Sequence, residues 1–113
     1  MVNKIPPNSL EAEMAVLGAM MLQRDALETV MGILDGRHFY SDRNRNIFET
    51  MRDMNLHGMP VDLLTLQEEL KKNKQLENLG GTRYLAELMD KVTTSAHTQA
   101  YAKIVKRKPS FVR

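Results

Sequence analysis

Apolar residues in this chain recur at helical spacing in short runs, and Gly, Pro or a capping residue cuts each run off within about four turns. That punctuation points to a bundle of short helices. A half-buried sheet needs alternation at period two, which no stretch sustains, and no repeat of solenoid length is present.

Ile5-Pro6-Pro7 reads as an extended lead-in, because Pro restricts both itself and the residue before it. Asn8 or Ser9 offers an N-cap, with Glu11 three residues after Asn8 as in a capping box. Leu10, Met14, Leu17 and Met21 then form one stripe, and Ala15, Gly18 and Ala19 leave room for a neighbouring helix. Asp25 with Glu28 repeats the cap signature before Leu27, Val30, Met31 and Leu34, and Gly36 is placed as the stop. Gly32 inside that segment costs about 1 kcal/mol relative to Ala. Ser41 or Asp42 caps a third helix carrying Ile47, Phe48, Met51 and Met54, which ends at His57-Gly58-Met59-Pro60. Asp62 caps a fourth with Leu63, Leu66 and Leu70. Asn78-Leu79-Gly80-Gly81 is a turn, and Thr82 opens a fifth helix with Leu85, Leu88, Met89 and Val92. Thr94 or Ser95 caps a sixth with Tyr101, Ile104 and Val105, and Pro109 stops it. The prediction is an all-α compact bundle of about six short helices. It forms one domain over residues 1–108, with 109–113 a short tail.

Aromatics make up 5% of the chain and Trp is absent, so the core is built from Leu, Ile, Val and Met. Most of the nine Met residues fall on the inward stripes as gap fillers, with Met54 and Met59 the two expected to be partly exposed. There is no Cys, which excludes disulfides, thiolate metal sites and Cys nucleophiles. No apolar run approaches the ~20 residues of a membrane-spanning helix, and the first residues lack the apolar segment of a signal peptide.

Charge is unevenly distributed. Lys103, Lys106, Arg107, Lys108 and Arg113 lie beyond residue 102 with no acid among them, which leaves eleven basic against fourteen acidic residues before them. A mildly acidic body disfavours phosphate contacts, so nucleic-acid binding is open only to the basic tail. The first reading of that tail, ahead of DNA contact, is a solvated helix end, where cations suit the dipole.

No constellation for chemistry emerges. Gly80-Gly81 lacks a phosphate-loop frame. His38, His57 and His97 have no second ligand at helical spacing, so no metal site is expected. Glu11, Glu13, Glu68 and Glu69 are assigned to polar helix faces, where nothing shifts a carboxyl toward acid–base work. Asp62 is a cap before it is a functional acid. The segments 65–73 and 82–92 make a poor helix-turn-helix, since their connection is long and Glu87 and Asp90 would face phosphate. What remains is a helical domain without a catalytic site, suited to binding other protein surfaces.

The residues resemble a known family. Ile5 to Glu13 running on to Val16-Leu17-Gly18-Ala19-Met20-Met21-Leu22 is similar to the opening of DnaB-type replicative helicases, bacterial or phage. So are Phe39-Tyr40 followed by Ile47-Phe48, Pro60-Val61-Asp62 with Thr65, Leu79-Gly80-Gly81 with Tyr84 to Leu88, and Tyr101 to Val105. The order holds from about residue 5 to 108. The resemblance implies the N-terminal collar domain of a hexameric, cytoplasmic DNA helicase that assembles the ring and docks the primase C-terminal domain. Other helicase subunits and a helicase loader are further implied partners. ATP and Mg would belong to a motor domain outside this chain, and no cofactor is expected here. The partner-contact candidates are Tyr84, Tyr101 and Lys103. For Tyr84 two readings stand open, a primase-contacting aromatic or a ring packed over Gly80-Gly81. The other functional reading is a small DNA-binding domain acting through the basic tail.

The sequence departs from the family pattern in places. His38 stands where an acid often precedes the Phe-Tyr pair, Asn44 where a His is common, and Thr93 to His97 replace a Pro-Thr-Ala-Ala-Asn-like loop. After Lys108, Pro109 interrupts the helix that would continue into a subunit-pairing hairpin, so the tail reads as an excision point or a non-native end. A monomer or weak dimer is expected.

Overall fold

The structure is a computed structural model that describes residues 7–92 and 97–107. Six helices and two short 3-10 turns account for its regular structure, with no strand among the described residues. The helices are α1 (Pro7–Leu22), α2 (Arg24–Met31), α3 (Asp42–Leu56), α4 (Leu63–Lys72), α5 (Gly81–Asp90) and α6 (Thr98–Arg107). The 3-10 turns are Gly36–His38 and Glu77–Leu79.

Helix α1 is the shared wall of the bundle. It packs against α2 and α6, which also touch each other, and against α5 and α3, which α4 joins. Every residue from Ala15 to Met21 is buried, as are Ala12 and Glu13. A helix apolar on all sides suits this central position. The single stripe expected from Leu10, Met14, Leu17 and Met21 therefore describes it poorly. Leu10 is 38% exposed, while Val16 and Met20, off that stripe, are fully buried. Gly18 does permit close approach: a Cβ there would lie 2.2 Å from the Leu88 carbonyl oxygen of α5. Glu13 corrects the sequence assignment outright, since it lies on no polar face and is 0% exposed.

The capping expectations divide. Asp62 accepts from the Thr65 N–H at 2.9 Å while Thr65 Oγ1 accepts from the Asp62 N–H at 2.9 Å, a reciprocal box that starts α4. Ser41 caps α3, its hydroxyl accepting from the Asn44 N–H at 3.3 Å. By contrast α1 starts at Pro7, which places Asn8 and Ser9 inside its first turn; Pro tolerates that place because the first N–H has no partner anyway. Helix α2 is entered through Gln23 with no side-chain cap, so Asp25 lies within its first turn. Gly32 follows the last residue of α2, so it incurs no helix-interior penalty. Gly36 opens a 3-10 turn that Asp35 and His38 close reciprocally, with the His38 Nδ1 accepting from the Asp35 N–H at 3.0 Å. The His38 ring nitrogen thus supplies the acceptor that a carboxylate would supply at this position. The expected caps Thr94 and Ser95, and the stop at Pro109, lie outside the described residues.

The core follows the predicted stripes of α3 to α5: Ile47, Phe48, Met51, Leu66, Leu70, Leu85 and Leu88 are all 0% exposed. Phe39 adds its ring to Phe48 with centroids 4.9 Å apart. Met59 is half-buried as expected, but Met54 is fully inside at 1%. Its side chain lies on the same inward row as Met51, three residues earlier. No helix among the described residues is long and apolar enough to cross a membrane.

Candidate functional site

The most heavily built polar feature joins α1, α3 and α5. The buried Glu13 carboxylate accepts from the Tyr40 N–H at 2.7 Å and the Ser41 N–H at 3.4 Å. It also accepts from the Asn44 side-chain amide at 2.9 Å. Tyr40 and Ser41 lead directly into α3, so the carboxylate lies where the helix dipole is positive and backbone N–H groups lack partners. This supplies the physical reason that an acid can be buried in the otherwise apolar stretch from Ala12 to Met21.

Asn44, 1% exposed, relays the network: its carbonyl oxygen accepts from the Tyr84 hydroxyl at 2.5 Å. The amide faces Glu13 with its NH2 group and Tyr84 with its carbonyl oxygen. Tyr84 is 4% exposed, and burial raises its phenol pKa above the ordinary 10.0, with part of that rise offset by the neighbouring Arg43 charge.

Arg43 covers the outer face of Tyr84. Its guanidinium carbon stands 3.5 Å from the ring centroid, and Nη1 donates to the Leu79 carbonyl at 3.0 Å. Gly80, at φ 107°, makes this approach possible: a Cβ there would fall 3.3 Å from both Arg43 Nη1 and Tyr84 Cβ. Arg43 itself is exposed.

Tyr84 is thus a buried ring, and the surface above it belongs to Arg43. Tyr101 is half-buried on α6, edge-on to His97 at 6.0 Å between centroids. It lines a cleft of about 190 Å³ against Glu11, Ala12 and Ala15 of α1, beside the 4.0 Å Lys91–Glu11 ion pair. Glu11 and Glu13 point about 200° apart around α1, so Tyr101 and the Tyr84 network lie on different sides of that helix. Lys103 is exposed, also about 200° around α6 from Tyr101. The three residues do not form one patch.

A second surface feature is apolar. Leu22 at 47% and Leu64 at 66% exposure border a groove of about 390 Å³ between the end of α1 and the start of α4, floored by Met21, Leu63 and Met89. Sequence reasoning missed Glu13, Asn44 and Arg43. The available signals were an acid flanked by Ala12, Met14, Ala15 and Val16, and the presence of Asn44 at a position of departure from the family pattern.

Comparison with known proteins adds the following. The family model described as the DnaB-like helicase N terminal domain matches residues 5–107. The replicative DNA helicase DnaB of Geobacillus stearothermophilus is 46% identical over 105 residues, covering 93% of this chain and 23% of that protein. The replicative DNA helicase DnaC of Bacillus subtilis is 40% identical over 106 residues, covering 94% and 23%. The crystal structure of the N-terminal domain of DnaB helicase from Mycobacterium tuberculosis superposes with a TM-score of 0.84 at 37% identity, covering 89% of this chain and 73% of that one. The chain thus spans about a quarter of the length of these full-length relatives.

Proposed function

This chain belongs to the family of DnaB-like helicase N-terminal domains, and from that membership we propose that it serves as the collar of a replicative DNA helicase, contributing to ring assembly and docking primase. Unwinding, with its ATP and Mg, is the work of a motor domain beyond these residues. Other helicase subunits and a loader are the further partners of this reading, and the bacterial cytoplasm is its setting.

The observation that carries the proposal is the continuous match of nearly the whole chain to replicative helicases, at 46% identity for one of them. The surface is consistent with it. Exposed Leu22 and Leu64 beside a groove, and a fixed arginine over Tyr84, are features of a surface that meets other proteins.

Calorimetric titration of the chain with a primase C-terminal domain tests it, alongside titration with single-stranded DNA at two salt concentrations. Saturable primase binding with little DNA affinity is expected. DNA binding with a steep salt slope and no primase binding would favour the basic tail as the functional element instead.

A further inference from the structure

The exposed arginines of this domain are not equivalent. Arg24 pairs with Glu28 at 3.2 Å, Arg37 with Asp35 at 3.2 Å and Arg45 with Asp42 at 2.7 Å. Arg43, like Arg52 and Arg83, has no carboxylate within ion-pair distance among the described residues. It is nonetheless the arginine with a ring beneath it and a carbonyl on its edge. The Tyr84 ring holds its flat face at 3.5 Å and the Leu79 carbonyl takes one Nη1 proton at 3.0 Å. Beneath it, the Asn44–Glu13 relay holds the ring in turn. Gly80 presents no side chain to cover it.

A guanidinium has five N–H donors in a planar fork. One goes to Leu79 and the Tyr84 hydroxyl engages the guanidinium as well, which leaves the outward N–H groups for an oxyanion. Its orientation is fixed before any ligand arrives, so little side-chain entropy is lost on pairing. We propose that Arg43 is the recognition cation of the docking face, built to take a carboxylate of a partner protein, and that Tyr84 is the positioning residue beneath it. A carboxylate is favoured over a nucleic-acid phosphate because the chain up to residue 102 carries eleven basic against fourteen acidic residues, which repels a polyanion. The inference rests on the protein-docking reading above, and it moves the expected contact from the Tyr84 ring to the cation that the ring carries.

The test follows the Arg43 Nε–Hε resonance of the labelled domain while a short peptide carrying a single Glu is added, with an oligo-dT strand in parallel. The Arg43 signal should move saturably with the peptide, and further than that of acid-paired Arg45. Tyr84→Phe, which keeps the ring, should retain the response; Tyr84→Leu should weaken it. With a primase C-terminal domain as probe, Arg43→Ala and Arg43→Lys should each weaken binding about tenfold, because Lys cannot supply the planar fork. The melting temperature should move by no more than about 4 °C. An Arg43 signal unmoved by the peptide, or moved further by oligo-dT, overturns the proposal, as does primase binding that Arg43→Ala leaves unchanged. If the wild-type domain binds no primase, the docking reading fails, and the peptide titration still decides Arg43.

Discussion

The Tyr84 hydroxyl donates to the side-chain carbonyl of Asn44 at 2.5 Å across 40 residues of sequence, tying α5 to α3 inside the bundle. Asn44 hands the connection on to Glu13 of α1. Three helices therefore share one buried hydrogen-bonded chain, and its members should respond to mutation as a unit.

Tyr84→Phe removes the donor and leaves the Asn44 oxygen buried and unpaired. A loss of about 1–3 kcal/mol is expected. Tyr84→Phe and Asn44→Ala, combined, should cost clearly less than the sum of the two, as urea denaturation of the double-mutant cycle will show.

Glu13→Ala strands the Tyr40 and Ser41 N–H groups and the Asn44 amide at once, and removes the negative charge from the start of α3. The expected cost is about 3 kcal/mol or more, larger than for any exposed acid such as Glu68. A urea midpoint within error of wild type would contradict the network's structural role.

Alkaline titration reports on Tyr84 separately. Because burial raises its pKa, the folded chain keeps the phenol proton at a pH where the unfolded chain releases it. The associated stability is complete below pH 10.0 and declines as pH rises from there through the folded-state value. Stability should therefore fall more steeply above that pH in the wild type than in Tyr84→Phe. In the folded protein, the tyrosinate absorbance that Tyr84→Phe removes should be a part that develops above pH 10.0.

Two glycines should behave oppositely. Gly18→Ala drives a methyl to 2.2 Å from the Leu88 carbonyl oxygen and 2.6 Å from Val92 Cγ2, so α1 and α5 must separate. The cost should be about 1–3 kcal/mol. Gly32→Ala meets nothing nearer than 3.5 Å and sits at φ −81°, so it should be neutral or stabilise by up to about 1 kcal/mol. Thermal melts of the two variants should move apart.

The helices, the family and most of α3 to α5 were legible because those features are local. A capping residue and a period-3.6 stripe need only neighbours in sequence, which is why Asp62 with Thr65 and the row from Ile47 to Met51 were found. Glu13 was not, because its surroundings come from Tyr40, Ser41 and Asn44, roughly 30 residues away, and periodicity carries no information about them. Tyr84 is a similar case. Its position on α5 is consistent with either a boundary ring or a buried one, and Asn44 and Arg43 decide between them. Gly36 looked like a helix stop, yet the side chain it makes room for is Glu49, whose Oε2 would stand 2.1 Å from an added Cβ. The shifted starts of α1 and α2 have a smaller cause, since helix ends are poorly determined to within about two residues by composition alone.

Burial of the Ala15 to Met21 stretch of α1 on every side has a consequence for biosynthesis. Two of its walls, α5 and α6, begin at Gly81 and Thr98, so the helix leaves the ribosome about 85 residues before the last of them is complete. At typical synthesis rates of about 5–20 residues per second that interval lasts roughly 4 to 17 s. Throughout it, Val16, Leu17, Ala19 and Met20 have no final partner on those sides. The nascent chain therefore exposes this apolar segment first and covers it only when α5 and α6 have followed.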